Sequence, residues 1–102
     1  MQKAIFDWAQ ETVNGEVFGV VRVFGHALRD PGLAAATIAA TESMMGISPV
    51  ALMVVNPNGS TTYAGPGYLL AYLETCDLSQ FIWQRVTREV DPLHSWPFAI
   101  QS

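Results

Sequence analysis

Charge is what this sequence lacks most. Of its 102 residues only 14% are charged, against a usual share of about 25%. A disordered tail, a coiled coil and a solvated linker all need far more charge or polarity, and each is excluded. Basic residues are the scarcest. Five of them stand against nine acidic residues, for a net charge of −4 and a pI near 4.8. Nucleic acid is held by clustered Lys and Arg that neutralise phosphates. Here only Arg85 and Arg88 lie close together, and Glu89 and Asp91 follow them at once. No nucleic-acid partner is expected.

Cysteine is nearly missing too. Cys76 stands alone and cannot form an internal disulfide, which argues against a small secreted scaffold. The opening residues MQKAIFDWAQET alternate polar and apolar side chains, unlike a basic-then-apolar leader. Asn58-Gly59-Ser60 has the form of a glycosylation sequon and is read as a turn. A cytoplasmic location is the default expectation. No apolar run approaches the roughly 18 residues of a spanning helix, so no membrane partner is expected.

The common catalytic and cofactor signatures are absent as well. There is no G-x-x-x-x-G-K-[ST], no G-x-S-x-G, no H-E-x-x-H and no C-x-x-C. Gly65-Pro66-Gly67 is only a fragment of a glycine-rich loop, and its proline removes an amide donor. A metal centre needs at least three good ligands. His26 with Asp30, or His94 with Asp91, offers two, so neither a metal nor a cofactor is expected.

What the chain does have is a long, almost uncharged middle. From Pro31 to Leu73 the only charged side chain is Glu42. Pro49, Pro57, Gly59, Gly65, Pro66 and Gly67 interrupt the stretch, so lipid is not its cover. The chain's own fold must cover part of it, and a partner chain is the natural cover for the rest.

The local patterns predict these elements. Ile5, Trp8, Ala9, Thr12 and Val13 form one stripe of a helix over residues 3–13, which Asn14-Gly15 would end. Residues 16–25, EVFGVVRVFG, are β-branched and aromatic on both faces, a strand covered twice, with Gly19 and Gly25 marking a bulge and its end. Asp30 caps and Pro31 opens a helix that runs to Met45 and stops at Gly46. PVALMVV (49–55) is a buried strand, NPNG (56–59) a turn, and STTYAG (60–65) the return strand of a hairpin. A short helix follows Pro66, over 67–75. Asp77 with Gln80 has capping-box spacing ahead of Leu78, Phe81, Ile82, Val86 and Val90, which predicts a helix over 81–90. The same residues also fit a strand. SWPFAI is an edge strand or a packed tail.

These elements make an α+β domain, residues 1–102, with a small mixed sheet of three to four strands and three to four helices. If residues 81–90 form a strand, the order from 16 to 90 becomes β-α-β-β-α-β. That is the ferredoxin-like order, with an extra N-terminal helix.

Several residues stand out as site candidates. Glu42 is read three ways: paired with Arg22, the one charge in the apolar strand; a pocket carboxylate acting as general acid or base, with His26 or a Tyr hydroxyl as helper; or a solvent-facing side chain. Ala35, Ala39 and Ser43 form a small-residue stripe that lets another backbone approach closely. Tyr63, Tyr68, Trp83 and Trp96 belong to an aromatic set expected first in the core, and otherwise at an interface or an apolar pocket. Cys76 is expected to be inert.

Three functions compete on these grounds. The leading expectation is a non-catalytic, self-associating interaction module with an apolar interface or pocket for a small apolar ligand. The second is a small enzyme built on Glu42. The third is an acidic accessory protein that inhibits another protein.

Overall fold

Residues 2–13, 15–76, 78–92 and 96–101 are described by a computed structural model. The expectations at Asn14, Asp77 and His94 lie outside the described residues. Among these described residues, six strands and two α-helices follow in the order β1 (Gln2–Val13), β2 (Glu16–Arg22), α1 (Pro31–Met45), β3 (Val50–Val55), β4 (Thr61–Ala64), α2 (Gly67–Leu73), β5 (Trp83–Val90) and β6 (Ala99–Gln101). Single 3-10 turns occupy Gly25–Arg29 and Leu78–Gln80.

All six strands join one mixed sheet of order β4-β3-β2-β1-β5, with β6 on β1. β2 and β3 are parallel, joined by the crossover through α1, and the other pairs are antiparallel. The fold expectation is therefore corrected on both counts. Among the described residues the sheet has six strands, not three to four, and two α-helices pack on it, not three to four. The ferredoxin-like alternative fails as well. In a split βαβ arrangement a strand lies between the two parallel ones, whereas β2 and β3 pair directly and β1 stands between β2 and β5.

The largest correction is the N-terminus. Residues 3–13 form no helix but most of the central strand β1. Their helical stripe coexists with an alternation of Ala4, Phe6 and Trp8 on one face, all buried. Ile5, Phe6, Trp8, Thr12 and Val13 are β-branched or aromatic, which favours the pleated state once neighbours exist on both edges. Asn-Gly is also a strong hairpin signal, and Gly15 adopts φ +80° between β1 and β2. Residues 83–90 are likewise a strand, β5, not a helix, and the preceding Leu78–Gln80 is only a 3-10 turn.

Elements set by local chemistry fall where the sequence puts them. The Asp30 carboxylate accepts from the Leu33 N–H at 3.1 Å, and Gly46 ends α1 at φ +66° with its N–H on the Glu42 carbonyl. The NPNG turn closes through Asn56 and Ser60, joining β3 to β4.

Side chains alternate between two faces, and each face has its own core. On the first, Trp8, Val21, Val50, Leu52 and Val54 pack under Ala34, Ile38 and Met45 of α1, while Phe98 and Trp96 cover Phe6, Val86 and Val90. On the second, Ala9, Phe18, Val20, Ala51 and Met53 pack under Leu69 and Leu73 of α2 and under Phe81. The seven residues of α2 cover only part of this face. The remainder carries Ile5, Asp7, Arg22, Val55 and Arg85 and stays open. No helix among the described residues is long and apolar enough to cross a membrane.

Candidate binding surfaces

Two surfaces stand apart from the cores. The first is the outer face of α1. Its inner stripe is Ala34, Thr37, Ile38, Thr41 and Met45, at spacings of three and four. Thr37 and Thr41 are fully buried, and their hydroxyls donate back to the Leu33 and Thr37 carbonyls at 2.7 and 2.8 Å. The outer stripe is Gly32, Ala35, Ala36, Ala39 and Ser43, all exposed. A solvated helix normally carries charge there; α1 carries none on this stripe. Beside it runs an open groove between α1 and the end of β4, lined by Leu28, Ile38, Ala39, Glu42, Ala64 and Pro66 among others.

Glu42 stands at the wall of that groove. Its Oε2 accepts a hydrogen bond from the Ser48 hydroxyl at 2.8 Å. It does not meet Arg22 within the chain, because α1 lies on one sheet face and Arg22 projects from the other, beside Asp7. The remaining groove-lining residues are Ala, Leu, Ile, Pro and Gly, with no second titratable side chain to share a proton. His26 lies in the 3-10 turn after β2, its ring tilted against Phe24 at 6.4 Å between centroids.

The second surface is a crevice on the open part of the second face. β1 pairs with β2 as far as Trp8↔Val21, and with β6 from Ile5↔Ala99. β2 meanwhile turns away: the Val23 N–H donates to the Met53 carbonyl and the Phe24 N–H to the Pro97 carbonyl. The sheet therefore forks beside Phe6 and Asp7. The fork opens into a crevice of about 540 Å³ walled by Ile5, Asp7, Arg22, Phe24, Val55 and Arg85. Asp7 sits between the two guanidiniums, with Oδ1 3.5 Å from Arg85 Nε and Oδ2 4.0 Å from Arg22 Nη1. The arginine side chains are 53% (Arg22) and 76% (Arg85) exposed, and Phe24 is 54% exposed.

The aromatic candidates divide. Trp96 stacks on Phe98, and its Nε1–H donates to the Asp91 carbonyl at 2.9 Å. Trp83 packs edge-on against Phe81. Both join the cores. Tyr63 packs half-buried on the second core; burial pushes its phenol above the ordinary value, the Thr61 hydroxyl partly opposing and the Cys76 thiol adding to the rise. Tyr72 is raised chiefly by its hydrogen bond with Cys76. Cys76 itself is half-buried, its thiol donating to the Tyr72 carbonyl at 3.4 Å. Tyr68 is the more exposed of the two remaining tyrosines, at 67% against 37% for Tyr72. Among the described residues, no three of His, Cys, Asp and Glu are grouped as a metal site.

Asp7, Arg85 and Phe24 are not among the residues that sequence reasoning singles out. A signal for two of them was present. With 2–13 and 83–90 taken as paired strands, Lys3 faces Glu89 and Asp7 faces Arg85, two oppositely charged cross-strand pairs.

No family model, no curated protein and no solved structure matches this chain.

Proposed function

We propose that this protein is a non-catalytic interaction module that self-associates through the outer face of α1. One observation carries the reading. α1 is apolar or small on every side except at Glu42, yet the stripe of Gly32, Ala35, Ala36, Ala39 and Ser43 is exposed in a single chain. A helix without a polar face is ordinarily a buried helix. Ala35, Ala36 and Ala39 add no bulk, so a second copy of α1 can approach closely, and a two-fold contact makes the same stripe serve both chains. The adjoining groove adds Leu28, Ile38, Ala64 and Pro66 to the area covered. The enzyme alternative has less support, because Glu42 has a hydroxyl partner and no titratable neighbour along its groove.

Sedimentation equilibrium at micromolar concentrations tests this. The expected mass is twice the 11.1 kDa of the chain, falling to the monomer value in Ala35→Glu/Ala39→Glu. Both positions are exposed in the single chain, so the variant keeps its far-UV circular dichroism. A wild-type chain that stays monomeric up to millimolar concentration overturns the proposal.

A further inference from the structure

From the forked crevice on the open sheet face we infer a binding site for a small monocarboxylate with a flat apolar body. The carboxylate lies between Arg22 and Arg85, and the body rests on Phe24, Ile5 and Val55.

Charge gives the ligand its sign and valence. Two guanidiniums against the one Asp7 carboxylate leave a single uncompensated positive charge, and no other wall residue is charged. One negative charge completes the balance. The concentration of cations is local: in a chain of net charge −4, Lys3, Arg22 and Arg85 account for three of the five basic residues, and all three project from this half of one face. Lys3 is offset by Glu89 opposite it, which leaves the two arginines.

The donors are open for use. The Arg22 guanidinium makes no hydrogen bond to a described residue, and its contact with Asp7 at 4.0 Å is an ion pair only. Arg85 offers Nε to Asp7 at 3.5 Å and keeps its outer edge in solvent. Guanidinium forks match carboxylates two bonds at a time. Asp7 holds both arginines near the crevice before a ligand arrives, which lowers the ordering cost of binding.

Size and lining decide between a small molecule and a broad partner surface. A volume of about 540 Å³ lies within the ordinary range for small-ligand sites, roughly 300–1,000 Å³. Phe24 is a large aromatic left 54% exposed at the rim, with Val55 beside it at 39%. The crevice also lies past the carboxyl ends of the parallel strands β2 and β3, where open sheets containing parallel strands commonly hold ligands. Because α1 lies on the opposite face of the sheet, this site does not depend on association through α1, and the two proposals fail separately.

The test is a two-dimensional NMR titration of the full chain with 3-phenylpropanoate. Its neutral amide, 3-phenylpropanamide, is the control, and a short peptide ending in Phe with a free or amidated C-terminus is a second arm. The expected result is saturable shifts at Ile5, Phe24 and Val55 and at the Nε–H groups of Arg22 and Arg85. Arg22→Gln and Arg85→Gln, both at exposed positions, should each weaken binding about tenfold or more, as loss of a charge-assisted bond implies. The amide should bind at least as poorly. Equal affinity for acid and amide, unchanged affinity in the double Gln variant, or no saturable shift overturns the inference. Peptide binding that is tighter than that of 3-phenylpropanoate, and that needs the free C-terminus, overturns the small-molecule source. Weaker peptide binding supports it.

Discussion

The indole of Trp8 lies directly over the bare backbone of Gly19. A Cβ built on Gly19 would fall 1.9 Å from Trp8 Cη2 and 2.4 Å from Cζ2. The two residues sit on neighbouring strands, one diagonal step apart, since Trp8 faces Val21 and Gln10 faces Gly19. Gly19 marks no bulge. It is the floor on which the buried indole rests, and the indole is 2% exposed. Gly19→Ala is therefore expected to destabilise the fold by about 2–3 kcal/mol through overpacking. Urea unfolding followed by tryptophan fluorescence measures it. The double variant Trp8→Phe/Gly19→Ala should lose less than the sum of the two single losses, because the smaller ring leaves room for the methyl group. Strict additivity would refute the contact.

The same pair shows why part of the fold was legible and part was not. α1, β2, β3 and the β3–β4 turn are specified within a few residues of chain: Asp30 and Pro31 start the helix, Gly46 stops it, and Asn56 to Gly59 turn the hairpin. β1 and β5 are specified only by each other and by β2. Ile5, Trp8 and Ala9 fit a helical stripe as well as Ala4, Phe6 and Trp8 fit alternation, and Val86 and Val90, four apart, satisfy both periods. Pairing decides, and pairing is non-local. The candidate sites divide along the same line. Glu42, Ala35 and Ala39 were visible because spacing on one helix exposes them. The crevice was not, because Asp7 and Arg85 meet only when two segments read as helices become adjacent strands.

The Asp7 ion pairs should matter little to stability. Asp7 is 28% exposed and its two arginine partners more than half exposed, at distances of 3.5 and 4.0 Å. Exposed pairs are typically worth less than about 1 kcal/mol, and salt weakens them further. Asp7→Asn is expected to lower stability by less than about 1 kcal/mol in dilute buffer and by less still in molar salt. Chemical denaturation with urea, which adds no ions, at the two salt concentrations checks this. A loss above about 2 kcal/mol would place Asp7 in the structural framework rather than in the crevice.

Tyr63 makes stability depend on pH at the alkaline end. Burial, opposed in part by the Thr61 hydroxyl, raises its phenol above the ordinary 10.0. The folded chain then holds that proton more tightly than the unfolded chain. Where the native state binds more protons, stability falls as pH rises. The contribution is fully present below the unfolded value and is lost as pH climbs from there through the folded one. The urea midpoint of the wild type should therefore drop, as pH rises above about 10, more steeply than that of Tyr63→Phe, which has no proton to lose. Tyr72, also raised, continues to titrate in that variant, so some slope remains and Tyr63→Phe/Tyr72→Phe flattens it further. Parallel curves for wild type and Tyr63→Phe would mean that the phenol is as well solvated in the folded chain as in the unfolded one, contrary to its place beside Leu73 and Cys76 on the second core.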